Sequence, residues 1–250
     1  MTGFRRSFVH IAFAIAFFVF VGLCETLRHG LFGLTPYETT GIIFGTLAVL
    51  ALLILRGDVV FLLRSPRNEL YGNPDLGWSW RRSLLGLMFV PLLWLVPAIY
   101  GAALIQINWQ PISSDELVGL LAFHVFFIAF AQEAFFREAA VKAFGADVSA
   151  MFVVAGLCSF IFHMPEGMPA AMIAGGAGLF YMALRLIGTN IIVVSVGHGV
   201  TSIVFTSVLS LGLTGQDAWI YAATFLTASV VLAVSIYSVF TSNRRRFEYA

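Results

Sequence analysis

Hydrophobic residues occur in long stretches separated by short polar breaks along the whole chain. Crossing a hydrocarbon layer of roughly 30 Å takes a helix of about 20 mostly apolar residues, and these stretches reach that length. The sequence shows no sustained β alternation, and lipid offers no partner to exposed backbone groups, so each stretch is predicted to be helical. The predicted spans are 8–27, 39–56, 83–106, 117–140, 149–166, 168–186, 190–212 and 218–240.

This pattern predicts an all-α fold, a polytopic membrane helical bundle with about eight transmembrane helices. Residues 1–250 are expected to form a single integral membrane domain, since no linker or low-complexity tract divides them. The one sizeable polar break, 57–82, contains Tyr71, Trp78 and Trp80 and is expected to lie along the membrane interface.

Basic residues fall almost entirely on one side of these spans. Thirteen of the 14 lie in, or close to, segments that share a side with the N-terminus, Arg137 and Arg185 among them, and only Arg28 falls in an opposite loop. The opposite loops instead carry Glu38, Asp115, Glu116, Glu166 and Asp217. The positive-inside rule therefore predicts a cell (plasma) membrane protein with both termini in the cytoplasm.

Composition narrows the functional class. The chain is 60% hydrophobic and 11% charged, against about 25% charged residues in ordinary soluble domains. Its net charge of +1 and the lack of a long basic block argue against nucleic acid as a partner. Cys24 and Cys158 stand singly in apolar stretches, a spacing that indicates neither a disulfide framework nor a zinc cluster.

A few polar residues lie where a membrane helix should be apolar. A charge near the bilayer centre costs roughly 2.5–3.5 kcal/mol on insertion scales, so each needs a reason. Glu133 and Arg137 are four residues apart and share a helix face, which suits either an internal salt bridge or a site. His163 ends the next helix, and His198 lies one turn before Ser202 on a later one. Glutamate and histidine can activate water, and a histidine with a hydroxyl can hold an oxyanion.

The remaining histidines are given no role in this site. His124 lies nine residues before Glu133, about 180° around a regular helix, so it is predicted to face away and to serve packing. His10 and His29 lie in the first span and the loop after it. His163 and Glu166 are three apart, but the chain has no H-E-x-x-H zinc motif.

The order of these polar motifs resembles the CAAX prenyl protease and bacteriocin-processing (CPBP, abortive-infection) family of intramembrane endopeptidases. The resemblance covers about residues 115–210 and rests on three motifs that the family shows in this order: E-E-x-x-x-R, F-x-x-x-H and H-x-x-x-N. Here they read Gln132-Glu133-Ala134-Phe135-Phe136-Arg137, Ser159-Phe160-Ile161-Phe162-His163 and His198-Gly199-Val200-Thr201-Ser202.

The resemblance implies a glutamate-type peptidase that cuts membrane-associated peptides or proteins with activated water. Gln132 replaces the glutamate that usually activates this water, and Ser202 replaces the asparagine of the oxyanion site. Glu133 with His163 is therefore the hypothesised base, Arg137 is expected to hold Glu133, and His198 with Ser202 to stabilise the oxyanion.

Two other functions stay open at this stage. Because glutamine cannot act as a base, the chain is alternatively a catalytically weakened member that binds membrane peptides or serves as a scaffold. A small transporter is a further alternative, although its inverted repeats would spread polar residues over both halves. No cofactor is predicted, metal dependence is left undecided, and the expected partners are membrane lipid and a peptide or protein substrate.

Overall fold

The predicted spans correspond to eight helices in the part of the chain that the structure describes. This computed structural model describes residues 3–30, 33–55, 80–104, 108–109, 112–144, 147–204, 209–210 and 213–248. With 114–144 taken as one continuous helix, the helices are α1 Gly3–Arg28, α2 Pro36–Ile54, α3 Trp80–Leu104, α4 Ser114–Phe144, α5 Val148–His163, α6 Met168–Leu186, α7 Ile191–Ile203 and α8 Gly215–Glu248. A 3-10 turn, Met164–Glu166, continues α5. The all-α class is confirmed.

Several helices have the length and the surface of membrane spans. Among the described residues, five helical stretches are long and apolar enough to cross a bilayer, and three shorter ones are apolar. Large apolar side chains such as Phe18, Leu53, Phe126 and Val153 lie more than half exposed on their outer faces, which water would disfavour. The chain is a multi-pass membrane protein.

Two of the predicted boundaries were wrong. The seventh span was predicted to run to residue 212, but Leu209–Ser210 (β2) pairs antiparallel with Asn108–Trp109 (β1), Asn108 opposite Ser210. The hydrogen bonds of this short pair satisfy backbone that an apolar pattern alone had assigned to helix. Helix α3 begins at Trp80, inside the loop predicted over 57–82, and the rest of that loop up to residue 79 lies outside the described residues.

Four helices begin at polar residues that cap them. In each case the side-chain oxygen of the residue before the first turn accepts a hydrogen bond from a backbone N–H of that turn. The capping residues are Thr35 in α2, Ser113 in α4, Asp147 in α5 and Asn190 in α7. In α2 the Glu38 carboxylate also accepts from the Thr35 backbone N–H, which completes a capping box. These caps fix where the helices that carry the polar motifs start.

Helix α4 lies at the centre and contacts α1, α2, α5, α6 and α7. Its aromatic residues pack into a cluster with neighbouring helices, for example Phe135 stacked on Phe13 at 5.2 Å and Phe136 against Phe162 at 5.8 Å. All four of these phenylalanines are almost fully buried. A second core joins α3, α6, α7 and α8.

Glycines bring three helix pairs close together. A Cβ at Gly178 of α6 would lie 2.8 Å from the Ala155 carbonyl oxygen of α5, and one at Gly176 would lie 3.1 Å from Leu226 Cα of α8. A Cβ at Gly199 of α7 would lie 2.7 Å from Val125 Cα of α4. The close approach of α7 to α4 sets His198 beside the polar residues of α4.

Candidate active site

A cavity of about 570 Å³ opens between α1, α2, α4, α5 and α7. Part of its wall is apolar, from residues such as Leu27, Ile43 and Phe44. Its polar lining comes from Arg28, Thr39, Thr40, His124, Gln132, His163, Glu166, His198 and Ser202. An apolar wall with a few converging polar groups is the usual make-up of a binding or active site.

His198 is held by a buried carboxylate behind the cavity wall. Its Nδ1 lies 2.7 Å from Glu133 Oε1, and the Glu133 side chain is fully buried. Glu133 Oε2 faces Arg137 Nε at 3.2 Å, an ion pair without hydrogen-bond geometry. A carboxylate oxygen accepts hydrogen bonds, so Nδ1 of His198 is the donor in this contact and Nε2 is left for the cavity side.

Tyr181 of α6 completes the setting of His198. Its ring stacks on the imidazole with centroids 5.0 Å apart and planes 20° apart. The Arg137 guanidinium carbon lies 5.9 Å from the centre of the same ring, and 5.8 Å from that of Phe136. These cation–π contacts offset part of the cost of burying Arg137, whose Nη1 has no hydrogen-bond acceptor among the described residues.

Next to Glu133, Gln132 is turned to the cavity, although its side chain is only 3% exposed. Ser202, one turn after His198, also lies on the wall. Thr201 beside it accepts a hydrogen bond from Trp94 Nε1 at 2.9 Å and donates to the Gly197 carbonyl at 2.7 Å, which ties this part of α7 to α3.

His163, also on the cavity wall, meets a second carboxylate. Its Nδ1 lies 3.0 Å and 3.1 Å from the two carboxylate oxygens of Glu166. Arg28 Nη2 lies 3.8 Å from Glu166 Oε1, and Arg28 Nη1 donates to the Phe162 carbonyl at 3.3 Å. Arg28 also pairs with Glu25 on α1. His163 and His198 therefore each have a carboxylate on Nδ1.

Of the six predicted site residues, four line one cavity and two do not. Gln132, His163, His198 and Ser202 line it, whereas Glu133 and Arg137 lie behind His198. Glu133 and Arg137 do not reach the wall, because both oxygens of Glu133 are directed to His198 and Arg137. Their chemical roles stay predictions.

The prediction that His124 serves packing away from the site was wrong, since it lines the cavity. The prediction measured its direction from Glu133, but Glu133 lies behind the cavity wall and Gln132 is the residue of α4 that lines it. His124, Ile128 and Gln132 follow one another at intervals of four residues and so share one face of the helix.

The sequence reasoning missed a buried ion pair that ties α4 to α6. Arg185 Nε bonds to Glu138, and Arg185 Nη1 donates to the Thr189 carbonyl at 2.6 Å; both charged side chains are fully buried. Arg185 had been counted among the inner basic residues that orient the chain. Its position opposite Glu138, 47 residues away, follows from the packing of α4 on α6 and has no signal in local spacing.

Among the described residues, no group of three His, Cys, Asp or Glu side chains is arranged to hold a metal ion. The cavity offers three imidazoles, two of them with a carboxylate partner, together with an amide and a hydroxyl. These groups suit proton transfer and the binding of a carbonyl oxygen.

Comparison with known families agrees with this geometry. Residues 114–204, from the start of α4 to the end of α7, match the family model described as type II CAAX prenyl endopeptidase Rce1-like. This stretch is similar to an Rce1-like domain. It contains all six predicted site residues and confirms the resemblance drawn from the three motifs. No curated protein and no solved structure matches the chain.

The Rce1-like match supports a membrane-bound endopeptidase of the CAAX type. The matched domain begins at α4, so α1 and α2, which close one side of the cavity, lie outside it. Arg28 and the Thr39–Thr40 wall are thus features of this chain beyond its Rce1-like part.

Proposed function

We propose that this cavity is the active site of an intramembrane endopeptidase that hydrolyses a peptide bond of a membrane-associated peptide or protein. The observation that carries the proposal is the convergence of Gln132, His163, His198 and Ser202, from three helices of the Rce1-like domain, on one cavity. Each would be costly against lipid, and together they supply a base, a proton donor and polar anchors for a carbonyl.

In the proposed mechanism His163 takes a proton from a water molecule as the water oxygen attacks the peptide carbonyl carbon. His198 in its protonated form donates Nδ1–H to Glu133 and Nε2–H to the developing oxyanion. Ser202, one turn further along α7, lines the same wall and contributes its hydroxyl. Collapse of the intermediate breaks the C–N bond, and His163 returns its proton to the leaving amine.

This assignment differs from the hypothesis based on sequence, in which Glu133 acts as the base with His163. Glu133 is fully buried and already contacts both His198 and Arg137. We therefore assign it the role of positioning His198, as the carboxylate of a catalytic triad positions its histidine.

The test is cleavage of membrane-peptide substrates by the purified protein in detergent or liposomes. His163→Ala and His198→Ala are each expected to lower kcat by roughly 10²- to 10⁴-fold, the usual contribution of a general acid or base. His10→Ala is the matched control, since His10 stacks on Phe144 and does not line the cavity. Equal activity in all three variants would contradict the proposal.

One observation favours a second function, a peptide-binding or scaffold protein without catalysis. Gln132 stands where the resembling family has a glutamate, and glutamine cannot take up a proton. On this alternative the wild type cleaves none of the peptides, while binding of a membrane peptide is retained and is weakened by enlarging a wall residue such as Thr39→Trp. The same purified protein therefore separates the two functions.

A further inference from the structure

Glu166 occupies an unusual place for an acidic residue of a predicted loop. Both of its carboxylate oxygens lie within hydrogen-bond distance of His163 Nδ1, at 3.0 Å and 3.1 Å. The 3-10 turn Met164–Glu166 brings the side chain back onto the histidine three residues earlier. Both residues line the cavity, so this contact belongs to the wall of the site.

Arg28 fixes Glu166 from another helix. Its Nη2 lies 3.8 Å from Glu166 Oε1, its Nη1 donates to the carbonyl of Phe162, and its guanidinium carbon lies 5.2 Å from the centre of the Phe162 ring. The cation is thereby held at the end of α5 by three kinds of contact. It favours the ionised form of Glu166, which can only accept hydrogen bonds.

The ionised carboxylate selects one form of the imidazole. Since Glu166 accepts, His163 must carry its proton on Nδ1, and Nε2 then bears the lone pair that takes a proton from water. Once Nε2 is protonated, the same carboxylate lies beside the imidazolium and stabilises it. The proton moves from water to Nε2 and later to the leaving amine, and Glu166 itself is neither protonated nor consumed.

We propose that Glu166 is a positioning residue for His163 and supplies the carboxylate partner that Gln132 cannot provide. This inference rests on the proposed peptidase function, in which His163 is the base. It makes His198 and His163, the two histidines of the proposed mechanism, members of carboxylate–imidazole pairs, with Glu133 and with Glu166 respectively. It also places Arg28, outside the Rce1-like domain, among the residues on which the site depends.

The experiment compares Glu166→Ala with Glu25→Ala. Glu25 is the matched control because it also pairs with Arg28, at 3.4 Å, and does not line the cavity. We expect Glu166→Ala to lower kcat about 10- to 100-fold, less than loss of the base itself, while KM stays within about 2-fold. Glu166→Asp, which keeps the carboxylate, should recover part of the loss, and Glu25→Ala should match the wild type. The Glu166 side chain is 51% exposed, so its removal leaves the fold intact.

Two further measurements separate positioning from other effects. In a His163→Ala background, Glu166→Ala should cause no additional loss, because its effect passes through the imidazole. Nitrogen-15 NMR of labelled histidine, with the His163 signal identified by its loss in His163→Ala, should show the Nδ1–H tautomer in the wild type and a larger share of Nε2–H in Glu166→Ala.

The outcomes distinguish this inference from the proposed function. Full activity of Glu166→Ala, an equal loss in the His163→Ala background, or a tautomer that does not respond to Glu166 would each overturn the inference and leave the peptidase proposal standing. A wild type that cleaves nothing would overturn the peptidase proposal, while the NMR tautomer still decides whether Glu166 positions His163.

Discussion

At the scale of single residues, the pair Gln132 and Glu166 decides how this cavity would activate water. The amide of Gln132 has nearly the shape of the glutamate in the resembling family but cannot accept a proton. Glu166, which lines the same cavity, brings a carboxylate to His163. The two positions therefore offer alternative places for one negative charge.

This exchange predicts a rescue. Gln132→Glu alone should raise kcat by less than about 10-fold, because a carboxylate already serves His163. In the Glu166→Ala background the same substitution should restore most of the lost activity, since a general base and its partners contribute roughly 10²- to 10⁴-fold. Rates of peptide cleavage for the four proteins, wild type, two single variants and the double variant, give the answer. Strictly multiplicative effects would contradict it.

Four residues that line the cavity could be predicted from the sequence because the free energy of placing a polar side chain in lipid is unfavourable in any fold. The four are polar residues in apolar helices: Gln132, His163, His198 and Ser202. The order of the motifs that contain them gave the resemblance to a peptidase family. Glu166 was noted three residues after His163, but it was given no role because an acid after a membrane helix is ordinary and was counted as an outer-loop charge. Its contact with His163 depends on one 3-10 turn, which local sequence does not specify.

At the scale of helices, the contact of α7 with α4 sets the geometry of the site. Gly199 lies against the backbone of Val125, and the adjacent His198 reaches Glu133 across this contact. A side chain at Gly199 would meet Val125 N at 2.9 Å and Val125 Cα at 2.7 Å, and backbone atoms cannot move aside as a flexible side chain does. The helices would have to separate.

We therefore expect Gly199→Ala to lower stability by about 1–3 kcal/mol, as overpacked cores do, and to lower kcat at least about 10-fold. The control is Gly119→Ala in α4, where an added Cβ meets nothing within 4 Å. There alanine should stabilise the helix by roughly 0.5–1 kcal/mol. Thermal unfolding in detergent and the cleavage assay measure both effects. Equal stability and equal cleavage rates in the two variants would show that the position of α7 does not depend on its close contact with α4.

The sequence predicted where the helices lie along the chain better than which side chains of a helix face the cavity. Runs of about 20 apolar residues predict where spans lie because the bilayer thickness imposes their length. Residues 122–129 and 134–139 of α4 depart from α-helical hydrogen bonding, and no residue type in them announces it. The interpretation of His124 was wrong for another reason: its direction was measured from Glu133, whereas Gln132 is the residue that lines the cavity. The bounds of α4 were within a few residues.

At the scale of the whole molecule, the charge distribution predicts orientation. Arg137 and Arg185 belong to buried ion pairs, so the inner basic residues that act as anchors are fewer than the sequence alone suggested. The asymmetry survives their removal, since most of the other basic residues still share the predicted side of the N-terminus. We propose that both termini lie in the cytoplasm of a cell membrane protein with eight spans.

Reporter fusions test this orientation. Fusions at Gln110 and Asp217 should report the outer side, and fusions at Gly72 and at the C-terminus the cytoplasm; Gln110 and Gly72 lie outside the described residues. A fusion at His29, in the turn after α1, is the control and should match Asp217. A C-terminus on the outer side would mean an odd number of spans.

The buried pair of Glu138 and Arg185 has a consequence for how the protein is made. The arginine is synthesised 47 residues after the glutamate, about 2–9 s later at roughly 5–20 residues per second. During that interval α4 carries the Glu138 carboxylate before Arg185 has been synthesised. Nascent α4 would therefore stay near the insertion machinery, or beside a polar surface, until α6 arrives. Insertion of this bundle then depends on the order in which buried charges are neutralised by later helices. A ribosome that pauses between α4 and α6 would leave the Glu138 charge exposed for longer and the chain accessible to proteases that degrade unassembled membrane proteins.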